Sequence, residues 1–362
     1  MRFLHLQSSL QACVGVLALT ISNASSYGLN TKSKHVGEYI AETGFYQSLT
    51  LTDEEPILEK RSEFQDIQVM NSVYYGKVLI LDGVIQLTEK DADSYNEMMV
   101  HPAMMAHPKP KRVLVIGGGD GYVLSEVLKH PEVEHVDHVD LDGEVIQVCR
   151  DHFSWGNAWE DPRVKLHIAD GAAFIANATD SSYDVIIQDS SDPYTWDDET
   201  GEKIDLPSKT LYSDAHFTNI SRVLGEKGVF SFQAETFNIE SDLEGIVEWR
   251  QRALDVGFSD ANYGTISISS YPTGQIGFLL CRKNPVSSPS IELVKKRFDQ
   301  IVKLGKETTY YHPTLQQTAF ALPLWVHRRI YKSPTPKIGL LEEEHEVVDL
   351  EVLPQADIQS PQ

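Results

Sequence analysis

Four apolar runs in the middle of the chain each end in an aspartate. VLVIG leads into Gly117-Gly118-Gly119-Asp120-Gly121, and VDHVDLD carries Asp140 and Asp142. VKLHIAD ends in Asp170-Gly171, and YDVIIQD ends in Asp189-Ser190-Ser191-Asp192. A glycine turn between a buried strand and a helix presents backbone N–H groups to a ligand. A carboxylate inside it, Asp120, is a poor neighbour for a phosphate or for a ligand's own carboxylate, so this turn suits a cation. One strand-end acid is unremarkable, because Asp caps helices. Capping accounts for Asp142 and in part for Asp170, but not for four ends in a row. Asp140 lies 20 residues after Asp120, where a ribose-binding acid belongs. Asp170-Gly171 sits where related sheets meet an adenine amino group. The first three ends together read as a nucleoside site.

The elements that position these acids follow from hydrophobic periodicity. After Pro108 and Pro110, apolar strands alternate with helical patterns, which implies a parallel sheet with helices on both faces. NYGTISISSY and QIGFLLCRK are expected to form a closing antiparallel hairpin, and a last helical patch covers Leu315 to Tyr331. Upstream, residues 56–88 alternate apolar and polar residues around turns at Tyr75-Gly76 and Asp82-Gly83, a small antiparallel β-domain. DADSYNEMMVHPAMMAH has helical spacing, and its methionine stripe reads as core. The expected class is α/β: a Rossmann-like, methyltransferase-type sheet preceded by an antiparallel β-domain. The boundaries drawn are 1–27 for a targeting segment, 28–100 for the β-domain ending in a linking helix, 101–332 for the catalytic domain and 333–362 for an acidic, disordered tail.

The chain has 362 residues and a net charge of −22, a surface that repels nucleic acid and attracts cations. Residues 341–357 carry part of that charge. Of the three cysteines, Cys13 lies in the N-terminal segment; Cys149 and Cys281 form no CxxC motif and read as buried small hydrophobes. His101, His107, His135 and His138 show no metal-ligand spacing. Residues 1–27, with an early Arg, an apolar run and then small residues, have the layout of a signal peptide; an organellar presequence or a mis-assigned start fits too.

These motifs resemble the spermidine synthases, the polyamine aminopropyltransferases. The likeness rests on GGGDG, the acid at 140, ADG (169–171), DSSDP (189–193), YPTGQIGF (271–278), FQDI (64–67), LDGVIQLTEKD (81–91), SYNEMM (94–99) and YYHPTLQQTAFALPLW (310–325). It implies decarboxylated S-adenosylmethionine as co-substrate, no permanently bound cofactor or metal, and a diamine acceptor, usually putrescine. It implies Asp189 as the proton acceptor, with Tyr95 orienting the attacking amine. Gln65, Gln86, Gly117, Gly119, Asp120, Asp140, Asp170 and Gly171 would hold the donor. Tyr95, Asn96, Asp189, Asp192, Gln233, Glu235 and Tyr271 would hold the acceptor. Tyr271 also fits plain hairpin packing, and Glu235 a solvated strand-end acid. The resemblance further implies a homodimer or homotetramer and, by family habit, a cytoplasmic location, against the secretory or organellar routing suggested by the N-terminus.

The chain departs from the family pattern at four places. Asp140 stands where many relatives have Glu, and Asn96 where they have Gln or His. Tyr122 replaces a small residue after GGGDG. The loop YTWDDETGEKIDLPSKTLY (194–212) is longer and richer in acids. Asp197, Asp198 and Glu199 in it could meet extra ammonium groups of a longer polyamine, or form a solvated insertion. Three alternatives therefore stand beside a putrescine-using enzyme: a spermine, thermospermine or long-chain polyamine synthase; a putrescine N-methyltransferase, against which Asp120 argues; and a non-catalytic polyamine-binding paralogue.

Overall fold

The structure, a computed structural model, describes residues 34–333 except 41, 156, 197–202 and 285–289. The N-terminal segment, the acidic tail and the loop acids Asp197, Asp198 and Glu199 lie outside the described residues. The chain divides into two compact units, one up to Lys90 and one from Asp91.

The first unit is antiparallel throughout. β1 (His35–Ile40) pairs with β2 (Phe45–Thr50). These strands fall in a stretch whose polar composition gives no clear sequence signal. β3 (Leu58–Arg61), β4 (Asp66–Ser72), β5 (Gly76–Leu81) and β6 (Val84–Thr88) form a four-stranded meander. Its turns fall at Tyr75-Gly76 and Asp82-Gly83, with positive φ at Gly76, Asp82 and Gly83. Leu49, Met70, Val78, Ile80 and Ile85 make its core.

The second unit opens with helix α1 (Ala92–Ala106). The methionine stripe is core, as expected: Met98, Met99, Met104 and Met105 are fully buried. There follow β7 (Arg112–Gly117), α2 (Tyr122–Val127), β8 (His135–Asp140), α3 (Gly143–His152), β9 (Val164–Ile168), α4 (Gly171–Ala176) and β10 (Tyr183–Asp189). After a short hairpin, β11 (Tyr194–Trp196) with β12 (Lys203–Asp205), and a 3-10 turn at Pro207–Tyr212, come α5 (Asp214–Val223), β13 (Leu224–Gln233), α6 (Glu240–Asp255), β14 (Asp260–Ser267) and β15 (Gln275–Arg282). Three helices close the unit: α7 (Ile291–Lys303), α8 (Pro313–Ala319) and α9 (Leu324–Tyr331). The last helical patch of the sequence reading is thus two helices, with Pro323 ahead of the second.

The central sheet has the order β14-β15-β13-β10-β7-β8-β9. β13, β10, β7, β8 and β9 are parallel, and β15 runs antiparallel between β13 and β14. Strands buried on both faces read as unbroken apolar runs. Accordingly Val113, Val115, Val185 and Ile187 pack into one core, and Leu114, Ile116 and Ile186 into the core on the opposite face. Cys149 and Cys281 are fully buried. Among the described residues no helix is long and apolar enough to cross a membrane.

Strand order reverses between β7 and β10. In open α/β sheets this is where a crevice forms outside the carboxyl ends of the strands. Gly117-Gly118-Gly119-Asp120 and Asp189 end these two strands.

Candidate active site

The glycine turn is pressed onto the end of β10. Gly117 pairs with Asp189 in the parallel ladder, and the Gly118 amide donates to the Asp189 carbonyl at 2.8 Å. A Cβ on Gly117 would lie 2.0 Å from that carbonyl oxygen, and its φ is +74. Only glycine satisfies both conditions. Gly119, without a positive φ, lies close to the Asp140 side chain, whose Oδ2 would be 2.9 Å from an added Cβ.

A histidine and two tryptophans brace this turn from behind. The indole N–H of Trp159 donates to His138 Nδ1 at 2.8 Å. Indole is a donor only, so Nδ1 accepts and Nε2 carries the proton. Nε2 then donates to the Gly117 carbonyl at 2.7 Å. Burial pushes His138 down to about 4, so it is neutral. Trp155 donates from Nε1 to the Asp120 carbonyl at 2.9 Å and stacks on Tyr122, with ring centroids 4.7 Å apart. The Tyr122 amide donates to Asp120 Oδ1 at 2.6 Å. Tyr122 thus packs on Trp155, and its backbone orients the turn's carboxylate.

Three strand-end acids act on one another across the turn. Burial pushes Asp120 well above the usual carboxylate range, and the charges of Asp189 and Asp140 add to this. Asp140 is pushed up to about 6, by burial first and by Asp142 and Asp189 as neighbouring charges, against the hydrogen bond it accepts from the Asp142 amide at 2.8 Å. Asp189 is pushed up to about 6 by burial, opposed by the Tyr95 hydroxyl, which donates to its Oδ1 at 2.6 Å. Tyr95, buried and beside that acid, is itself raised and keeps its proton. A crowd of carboxylates resisting ionisation is a site prepared for positive charge.

Asp142 and Asp170 are helix caps. Asp142 Oδ1 accepts from the Glu144 amide at 3.0 Å, and Asp170 Oδ1 from the Ala172 and Ala173 amides at 2.8 and 3.1 Å. Gly171 opens α4 beside that cap.

Beyond Asp189 a second polar group gathers. Gln233 donates from Nε2 to Glu235 Oε1 at 2.8 Å and to Asp192 Oδ1 at 3.5 Å. Its Oε1 accepts from the Tyr212 hydroxyl at 3.2 Å. Glu235 has φ +47, and the Tyr263 hydroxyl donates to its carbonyl at 2.8 Å. Burial and then the Asp192 charge push the Glu235 carboxyl well above its usual range, with a smaller contribution from Asp242. Glu235 is therefore not a plainly solvated acid. Tyr271 lies 6.1 Å from Tyr95, ring centre to ring centre.

Three further residues were expected at the site. Asn96 is buried on α1; its Nδ2 donates to the Ala92 carbonyl at 2.9 Å, and its Oδ1 meets no partner among the described residues. Gln65 and Gln86 belong to the first unit, ahead of β4 and on β6. Sequence reasoning missed Tyr212, Trp155, Trp159 and the role of His138. No periodicity marks them, because each is defined by a partner far away in the chain. Among the described residues no group of His, Cys, Asp or Glu could hold a metal ion.

Comparison with known proteins places this geometry in a family. Residues 92–291 match the spermine/spermidine synthase domain, and residues 38–89 match the spermidine synthase tetramerisation domain. The chain is 38% identical over 291 residues to spermidine synthase 2 of Arabidopsis thaliana, covering 78% of this chain and 80% of that one. It is 35% identical over 288 residues to the spermine synthase of the same plant, covering 78% and 75%. A crystal structure of spermidine synthase in complex with the transition state analogue AdoDATO superposes with a TM-score of 0.71 at 29% identity, covering 83% of this chain and 96% of that one. The spermidine synthase of Thermotoga maritima gives 0.70 at 28% identity, covering 83% and 95%. The acids around the glycine turn therefore belong to a member of the spermine/spermidine synthase family, and the chain is an aminopropyltransferase.

Proposed function

We propose that the protein transfers the aminopropyl group of decarboxylated S-adenosylmethionine to putrescine, giving spermidine and methylthioadenosine. The observation that carries this is the 2.6 Å hydrogen bond from Tyr95 to Asp189, on a strand end fused to the turn that holds Asp120.

In this reading the donor's adenosine lies over Asp140 and the Asp170-Gly171 cap. Its aminopropyl ammonium pairs with Asp120. A donor retaining its carboxylate would be repelled there, so one residue both attracts the right donor and rejects the wrong one. The acceptor amine attacks the carbon beside the sulfonium. The carbon–sulfur bond breaks, its electrons return to sulfur, and methylthioadenosine leaves. The attacking ammonium must first lose a proton, and an alkylamine holds its proton to about pH 10. Asp189, raised from 3.8 to about 6, is a better proton acceptor than an ordinary carboxylate. Tyr95 holds that carboxylate's orientation. Asp192, Gln233 and Glu235 take the far ammonium, with Tyr271 lining the channel. The match to the tetramerisation domain supports a homo-oligomer.

A second reading changes only the acceptor, to spermidine or a longer polyamine. It is supported by Asp242, whose charge reaches Glu235 in addition to that of Asp192, and by the likeness to a spermine synthase.

Product analysis of the purified protein with decarboxylated S-adenosylmethionine and either putrescine or spermidine separates the two readings. Spermidine formed from putrescine is the expected result. Product from spermidine alone would replace it with the second reading. Methylputrescine formed from intact S-adenosylmethionine would overturn both.

A further inference from the structure

Helix α1 opens without the side-chain cap that its N-terminus invites. Asp91 stands at the cap position, but its carboxylate makes no capping hydrogen bond to the first turn. It reaches instead to the connection between β14 and β15. Oδ2 accepts from the Ser270 amide at 2.9 Å and from the Ser269 hydroxyl at 3.1 Å, and Oδ1 accepts from the Ser270 hydroxyl at 3.0 Å. Three donors on one carboxylate tie together segments almost 180 residues apart.

Each end of this tie carries a tyrosine of the site. Tyr95 follows Asp91 by one helical turn and donates to Asp189. Tyr271 directly follows Ser270, and the two rings face each other at 6.1 Å and 49°. The far side of the same corner is pinned to the segment after β13. The Thr236 hydroxyl donates to Gln275 Oε1 at 2.7 Å and lies 3.2 Å from the Thr273 hydroxyl. Thr273 has φ +63, a conformation that a threonine holds only when its surroundings impose it. The corner bearing Tyr271 is therefore gripped from both sides, and Asp91 is the grip on the Tyr95 side.

We propose that Asp91 is a positioning residue for the transfer reaction: it clamps the β14–β15 corner to the start of α1 and thereby sets the Tyr95–Tyr271 gap that orients the acceptor amine toward Asp189. This rests on the reading of Tyr95 and Tyr271 as acceptor-binding residues. Asp91 acts through the two tyrosines and not on the reacting atoms.

Steady-state kinetics of Asp91→Ala, Ser270→Ala and Tyr271→Ala, with decarboxylated S-adenosylmethionine as donor and the amine that the protein turns over as acceptor, test the clamp. Asp91→Ala is expected to raise the acceptor KM about tenfold or more and to leave the donor KM within about twofold. Ser270→Ala, which removes one arm and keeps the backbone amide, is expected to give about a threefold rise. The variant combining Asp91→Ala with Ser270→Ala should be no worse than Asp91→Ala alone, because both substitutions break the same tie. Should Asp91→Ala not fold, Ser270→Ala carries the test by the same split between the two KM values. An unchanged acceptor KM, or equal changes in both KM values alongside a lowered Tm, would overturn the clamp. Tyr271→Ala keeps the two claims distinguishable. If it leaves the acceptor KM unmoved, the acceptor-site reading itself falls, and the clamp with it. If it raises the acceptor KM while Asp91→Ala and Ser270→Ala do not, only the clamp falls.

Discussion

The carbonyl of Asp189 accepts a hydrogen bond from the Gly118 amide at 2.8 Å, so the strand end that carries one acid and the turn that carries the next are a single rigid piece. The backbones that carry the two side chains are held together. The proposed proton acceptor and the turn that carries the proposed ammonium partner are joined at the end of a β-ladder.

Replacing Gly117 tests that coupling. An alanine would need φ +74, and its Cβ would fall 2.0 Å from the Asp189 carbonyl oxygen. The left-handed conformation alone costs about 1–2 kcal/mol, and the clash adds to it. Gly117→Ala is expected to lower thermal stability and to weaken donor binding together. A variant with wild-type Tm and donor affinity would show that the turn is not held as described.

Asp189→Asn keeps the size and the Tyr95 partner but removes the basic oxygen. Turnover is expected to fall by about 10²–10⁴, with donor affinity little changed. Near-normal turnover would remove Asp189 as the proton acceptor.

Asp120→Ile removes the carboxylate proposed to pair with the donor's ammonium. Losing a hydrogen bond to a charged group costs about 1.5–3 kcal/mol. Decarboxylated S-adenosylmethionine should therefore bind at least tenfold more weakly, while intact S-adenosylmethionine loses less or gains. A titration in which the preference between the two is unaltered would refute the repulsion account.

Asp140 and Asp189, both raised from 3.8 to about 6, give the substrate-free protein a defined pH response. In that window the folded state binds more protons than the unfolded chain. Stability contributed by these groups is therefore lost as pH rises from about 4 through about 6. A cationic donor reverses the balance by favouring the ionised forms, so its binding should release protons and weaken below pH 6. Calorimetric titration in buffers of different ionisation enthalpy, at pH 5.5 and 7.5, measures the proton count. Uptake on binding would contradict the charge assignment.

The sequence made the acids legible because an open parallel sheet leaves few places for a ligand, and four strand ends in register all carried one. It also distinguished them correctly in part: Asp142 and Asp170 do cap helices, while Asp120, Asp140 and Asp189 face one another. Helix α7 was legible but unread. Ser290 caps it, and Ile291, Val294 and Ile301 form its buried face at helical spacing. The brace of His138, Trp155 and Trp159 was not legible, because each contact joins residues 21 to 35 positions apart through a single polar atom. Asp91 lay inside a quoted motif, yet its partners are almost 180 residues away. The sequence sets the long loop after Asp192 apart only by its length and its acids. Its described residues form a short hairpin and a 3-10 turn that ends in Tyr212, whose hydroxyl donates to Gln233.

The histidine behind the glycine turn bears on how a rate profile of this enzyme should be interpreted. An inflection near pH 6 is ordinarily credited to an imidazole. Here His138 has both ring nitrogens committed and takes up a second proton only below about pH 4, and His216, hydrogen-bonded to Gln188 on β10, is likewise lowered to about 4. The groups at this turn that do change charge near pH 6 are carboxylates. An inflection they produce should barely move with temperature, where an imidazole's would shift visibly, so the thermal behaviour of one midpoint identifies the chemical class of the titrating group without a single mutation.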